Sequence, residues 1–315
     1  MKKTILKRKT YNQYIDNIKN GYQFKDTEYE IIDLRNKLKN VIDTNTIFCS
    51  FEFMHVENND FYKSFFMEMN KYHPLFYALT WKHMKNEIKN YLSSDICNIF
   101  PNNILLHLTS NDLTRNDVKI ILKKTLDRGI RNIFVLKGDS SNPNSEFPYA
   151  IDLVRFIRNQ FGEIFCICVA GYPEMHPKSL SKEMDLVYLK EKVDAGADFI
   201  ITQMFFEANI FIKFVNDCKQ IGINVPIIPG IFPIPNYICF QKMAKICNVK
   251  IPQIILNDLQ CIKDNDEEVR IYGIELLKTI IKDIIASKTT CGFHFFTLNK
   301  PSLSSKICDK LGIFY

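Results

Sequence analysis

Two acids stand out among the residues able to do chemistry. Glu52 lies between Phe51 and Phe53, and Asp139 follows Ile133-Phe-Val-Leu-Lys-Gly138, a strand-forming stretch ending in a Gly-Asp turn. A carboxyl group set among aromatics is costly to ionise unless paired, so burial keeps it protonated. An acid held neutral near pH 7 can serve as a general acid. Asp139, behind Lys137 and Gly138, is presented at the rim of a sheet. Other apolar runs end in polar residues too: Thr80, His107 with Thr109, Tyr172 with Glu174 and His176 just beyond, Gln203, and Thr297 with Asn299. A lone histidine in an apolar strand, such as His107, is more often a satisfied core residue than a ligand. No His pair at i,i+4 supports a metal site built from Glu52, His107 and Asp139. No Ser-His-Asp set or phosphate-cradling loop stands out. These residues make a mixed acid, amide and aromatic mouth suited to a flat organic cofactor, and they do not name its reaction.

Such a mouth needs strands that end together. Candidate strands are Thr46–Phe53, Leu75–Trp81, Ile104–Thr109, Asn132–Gly138, Ile164–Tyr172, Asp198–Phe205, Val225–Ile231 and Phe293–Leu298. Most are nearly continuous apolar runs, as expected of a parallel sheet buried on both faces. The first seven start roughly one βαβ unit, about 30 residues, apart. Between them lie helical signals. Thr114-Arg-Asn-Asp117 reads as a capping box, and Gly129 as that helix's terminator. Leu186, Leu189 and Val193 form a stripe ended by Gly196; long and final helices are expected over Glu267–Ser287 and Leu303–Leu311. Eight strand–helix units match a (β/α)8 TIM barrel at its usual core size of about 250 residues. A doubly wound sheet fits less well, given the strand count and the lack of a Gly-x-Gly-x-x-Gly turn. Residues 1–44 read as an N-terminal helical extension, with Tyr14, Ile15 and Ile18, then Ile31, Leu34 and Leu38, at helical spacing. Residues 45–315 read as the catalytic barrel.

Composition narrows the function classes. Of 41 Lys and Arg, ten fall in the first 40 residues against five acids, so the rest of the chain is close to neutral. That is not a nucleic-acid footprint. No apolar run approaches the ~18 residues of a membrane span. The ten cysteines lack Cys-x-x-Cys or scaffold spacing, and no secretory segment leads the chain. They read as reduced, mostly buried thiols of a cytoplasmic protein, Cys166 and Cys168 sharing one strand face.

The chain resembles the methylenetetrahydrofolate reductase family. Matching segments are Ser50-Phe-Glu-Phe53, Leu136-Lys-Gly-Asp139, Val169–Pro177, Leu189–Asp198, Ile200-Ile-Thr-Gln203, Ile228–Pro233, Ile262–Asp266 and Phe293–Asn299, in order and in register. The resemblance implies a barrel flavoenzyme with non-covalent FAD. It reduces 5,10-methylenetetrahydrofolate to 5-methyltetrahydrofolate with NAD(P)H, ping-pong through the flavin, in one-carbon metabolism and methionine supply. By residue-for-residue match, Glu52 is the general acid toward the folate's bridging nitrogen, and Asp139 lies between pterin and flavin. Gln203 contacts substrate. Thr80, His107, Lys137, Gly138, Asp139, Ala150, Tyr172, His176, Asp185 and Lys192 fall where the family holds FAD. Lys300 stands where the family carries a folate-contacting Arg; it keeps the charge and loses the bidentate fork.

The implied partners are small molecules, folate and a nicotinamide nucleotide; no nucleic acid or membrane partner is expected, and a homo-oligomer is compatible with the family. Tyr315 closes the sequence just after the barrel, so the S-adenosylmethionine-binding regulatory domain of eukaryotic members is not expected. Two other readings are a flavin barrel oxidising a secondary amine and a barrel homologue without activity. The intact Glu52, Asp139 and Gln203 segments argue against both.

Overall fold

The computed structural model describes residues 32–80, 100–111, 113–138 and 144–314. Asp139, Trp81 and the apolar positions before residue 32 lie outside the described residues. Eight parallel strands close a barrel in sequence order: β1 (Phe48–Met54), β2 (Tyr77–Thr80), β3 (Ile104–Thr109), β4 (Asn132–Leu136), β5 (Cys166–Gly171), β6 (Phe199–Met204), β7 (Ile227–Ile231) and β8 (Gly292–Phe296), with β8 pairing back to β1. The described helices are α1 (Leu34–Asp43), α2 (Asn59–Met69), α3 (Arg115–Asp127), α4 (Ala150–Phe161), α5 (Lys182–Asp194), α6 (Ala208–Gln220), α7 (Tyr237–Cys247), α8 (Gln253–Ile262), α9 (Asp266–Ser287) and α10 (Pro301–Leu311).

The (β/α)8 expectation holds, with strand ends shifted by a few residues. Lys137 and Gly138 leave β4 because Gly138 turns into the left-handed region at φ +87. β8 stops at Phe296, since Leu298 and Asn299 both take positive φ. The capping box at Thr114 forms with Asp117 as its reciprocal partner. The sequence reading has no counterpart for α7 and α8. The signal for α7 is Asn236, whose side chain accepts from Cys239 N at 2.8 Å as an N-cap.

Strand alternation sorts the core into two layers. Cys49, Phe51 and Phe53 of β1 face outward, where Phe53 meets Tyr62, Phe65 and Phe66 of α2. Phe48 faces inward with Phe76, Leu105, Phe134, Cys166, Cys168, Phe199 and Ile228, filling the lower lumen as packed core. The shared face expected for Cys166 and Cys168 is this inner one.

α1 stoppers the lumen from below. Leu34, Leu38 and Val41 join the inner cluster, and Asn132 ties the helix to the strands. Its side chain accepts from Leu34 N at 2.9 Å and donates to Ile32 O at 3.0 Å and Ile104 O at 3.2 Å. Leu38→Ala should therefore destabilise the fold by about 3 kcal/mol through lost burial and a cavity. Urea unfolding measures this; an unchanged midpoint would remove α1 from the barrel's stabilising core.

Candidate active site

Glu52 projects from the inner face of β1, opposite Phe51 and Phe53. The aromatic flanks that single it out in the sequence therefore belong to the outer layer, and the carboxyl owes its desolvation to the lumen. Enclosure there raises it to about 7, with the Thr80 hydroxyl hydrogen-bonded to it and pulling the other way. The backbone around it is clamped from β8. Thr297 Oγ1 donates to Glu52 O at 2.6 Å. Asn299 takes both sides of the next inward residue, accepting from Met54 N at 2.7 Å and donating to Met54 O at 3.0 Å. That double bond to Met54 needs the left-handed turn at Leu298 and Asn299, a conformation asparagine tolerates well.

From Glu52 a short polar chain runs across the strand ends. Thr80 Oγ1 lies 3.2 Å from His107 Nδ1. His107 is buried, its ring edge-on to Phe134 at 4.8 Å, and burial lowers it to about 3. Its Nε2 has no partner among the described residues. His107 is thus no satisfied core histidine: one nitrogen is bonded and the other is held in readiness. His294, which sequence reasoning did not single out, sits nearby on β8. Its Nδ1 is 2.9 Å from Ser50 Oγ, its Nε2 is also unpartnered, and burial, with His107 adding repulsion, lowers it to about 3. The signal was its inward parity on β8, level with Ser50 on β1.

A second cluster lies at the end of β5. Lys192, in the last turn of α5, reaches back to donate to Ala170 O at 2.7 Å; burial pulls it down to about 8, opposed by Asp185. Asp185 accepts from His176 N at 3.1 Å and from Ser179 Oγ at 2.7 Å, fixing the loop. His176 packs edge-on to Tyr172 at 4.6 Å, and burial lowers it, with Asp185 opposing and Lys192, Lys178 and Lys137 reinforcing. Lys137 lies over the Tyr149 ring at 4.8 Å, one residue before Ala150 at the start of α4. Gly138 approaches Thr109 and Asn111 so closely that a Cβ would meet both at 3.2 Å.

Gln203 sits in an irregular β6–β7 step, where pairing shifts between Ile201 and Met204; its Oε1 accepts from Met204 N at 2.8 Å. Glu174 accepts from Lys250 N at 2.8 Å, so it ties the β5 loop to the segment after α7. Lys300 precedes α10 and lines a groove of about 420 Å³ with Asn236, Asp266, Glu267, Arg270 and Lys306. The sites therefore fall into three groups: Glu52–Thr80–His107, the β5–α5 cluster, and the flank carrying Lys300.

A closed (β/α)8 barrel whose mouth holds a protonatable carboxyl, neutral imidazoles and a buried lysine has the architecture of a barrel enzyme. A sequence model described as Methylenetetrahydrofolate reductase matches residues 37–312, and the chain belongs to this family. Methylenetetrahydrofolate reductase (NADH) 1 of Arabidopsis thaliana is 38% identical over 299 residues, covering 88% of this chain and 50% of that protein. A probable methylenetetrahydrofolate reductase (NADPH) of Caenorhabditis elegans is 34% identical over 315 residues, covering 94% of this chain and 46% of that protein. The chain thus spans about half the length of these curated relatives. Among solved structures, an uncharacterized Clostridium thermocellum protein that binds two copies of 5-methyl-5,6,7,8-tetrahydrofolic acid aligns with a TM-score of 0.65 at 13% identity, covering 88% of this chain and 99% of that one. That likeness shows the shared fold.

The raised Glu52 carboxyl has a thermodynamic signature. Its folded value of about 7 exceeds its ordinary value of 4.5, so its contribution to stability is fully present below pH 4.5 and is lost as pH rises through 7. Glu52→Gln should remove this dependence. The wild type should lose up to ~3 kcal/mol relative to the variant between pH 4.5 and 8, measured by urea unfolding. A pH-independent difference would show that Glu52 titrates as an ordinary surface acid.

Proposed function

We propose that the chain reduces 5,10-methylenetetrahydrofolate to 5-methyltetrahydrofolate, with FAD as cofactor and NADH or NADPH as reductant. The observation that carries this reading is the enclosed Glu52 carboxyl, raised to about 7, on a barrel of this family. The relatives' names supply the substrate and both nucleotides.

The residues fit FAD. His107 Nε2 is an unpartnered buried polar atom at the mouth, and Lys192 spends one of its three donors on Ala170 O. Thr80, His107, Lys137, Gly138, Ala150, Tyr172, His176, Asp185 and Lys192 would hold it, with Lys192 as the cation toward the pyrophosphate. When bound, FAD supplies the two-electron carrier between nucleotide and folate. Glu52 holds a proton at its carboxyl and delivers it to the folate's bridging nitrogen, opening the five-membered ring to an electrophilic carbon. Thr297 and Asn299 keep that carboxyl's backbone in place. Gln203 orients the substrate, Asp139 tunes cofactor and pterin by its charge, and Lys300 meets the folate tail as a point charge instead of a fork.

The proton-donor role has a kinetic test that separates the two half-reactions. In stopped-flow experiments, Glu52→Gln should reduce bound flavin with NAD(P)H at close to the wild-type rate. Its oxidation by methylenetetrahydrofolate should slow by a factor on the order of 10² to 10⁴. In the wild type, folate reduction should fall as pH rises through about 7, because the acid form is the active one. Equal loss of both half-reactions would contradict the assignment, and a protein that binds no flavin would contradict the whole reading.

A further inference from the structure

Glu52, Thr80 and His107 pose a proton-counting problem. The Thr80 hydroxyl has one proton and two neighbours that can accept it, the Glu52 carboxyl and His107 Nδ1 at 3.2 Å. We propose that the charge of Glu52 and the tautomer of His107 are linked through this hydroxyl: ionised Glu52 fixes His107 as the Nδ1–H form, and protonated Glu52 lets it carry its proton on Nε2. An ionised carboxylate can only accept, so Thr80 donates to it and must in turn accept from Nδ1–H. A protonated Glu52 donates to Thr80 Oγ1, which frees the hydroxyl to donate to a bare Nδ1. His107 Nε2 has no partner among the described residues, so no described group pins the tautomer from the other side.

The protons balance. From the ionised state, a proton from water forms an N–H bond at Nε2 while Nδ1–H passes to Thr80 Oγ1. The original hydroxyl proton passes to the carboxylate. One proton is taken up and appears on Glu52, and the imidazole is neutral before and after. Nε2 thereby changes from acceptor to donor as Glu52 changes from base to acid. A ligand offering O–H or N–H is preferred there in the first state, and one offering a carbonyl or bare ring nitrogen in the second.

The surroundings leave this exchange undisturbed. His294 on β8, bonded to Ser50 on β1, is held neutral by burial. Phe134 of β4 is apolar, and His55 beyond β1 bonds Tyr62 on the outer side. Among the described residues no charged side chain contributes to the shifts of Glu52 or His107.

The functional meaning of the linkage rests on Glu52 as proton donor; the linkage itself is read without substrate. The experiment is a pH series of histidine ¹⁵N spectra on the full chain, with the His107 signals identified by their loss in His107→Gln. The proton-bearing nitrogen of His107 should move from Nε2 to Nδ1 as pH rises through Glu52's titration, the ring remaining neutral. Thr80→Ser should keep the exchange, whereas Thr80→Val and Glu52→Gln should each hold one tautomer throughout. A wild-type His107 with a single tautomer across that range overturns the proposal, as does an exchange that persists in Glu52→Gln, even if Thr80→Val fails to fold. Failure here leaves the half-reaction split of Glu52→Gln untouched, so the two readings are judged separately.

Discussion

A carboxyl group enclosed in a barrel lumen, with a neutral hydroxyl instead of a cation at its side, is the constraint from which the rest of this site follows. Had a lysine or arginine faced Glu52, the acid would ionise well below neutrality and have no proton to give. The lumen answers its need with Thr80, and through Thr80 with His107, whose own burial keeps it neutral. The cation of the mouth, Lys192, is bonded to Ala170 O at the end of β5, in a separate cluster with Asp185. Acid and cation are thereby served by different strands.

The fold supplies the rigidity this arrangement needs. The β8 turn binds the main chain of Glu52 and Met54 through Thr297 and Asn299, so the carboxyl is aimed by two strands at once. Close approach makes the same demand on β7. At Gly230 a Cβ would strike the Phe296 ring at 2.4 Å and Thr202 O at 2.3 Å, so glycine is needed where β6, β7 and β8 converge. Below the mouth, α1 and the apolar lower layer close the lumen against water.

The barrel was legible because its strands read as continuous apolar runs separated by helix-length segments with recognisable caps. The helices α7 and α8 were not, since the region between β7 and α9 carries no strand to frame them. Glu52 was singled out for a neighbourhood it does not have: side chains alternate along a strand, so Phe51 and Phe53 face α2 while Glu52 faces the lumen. The residue was right and its reason was not. His107 was discounted as ordinary core, because a linear sequence does not show which imidazole nitrogen lacks a partner. His294 escaped notice for a related reason, as its meaning depends on Ser50 across the β8–β1 seam, 244 positions away. Contacts closed by the barrel's seam are invisible to local pattern.

The central claim is that Glu52 keeps its proton near neutrality, and infrared difference spectroscopy across a pH titration reads it most directly. The carbonyl stretch of a protonated, sheltered carboxylic acid should persist at pH 6, disappear with a midpoint near 7, and be absent from Glu52→Gln. A band already lost near pH 4.5, or one that survives in the variant, would contradict the account.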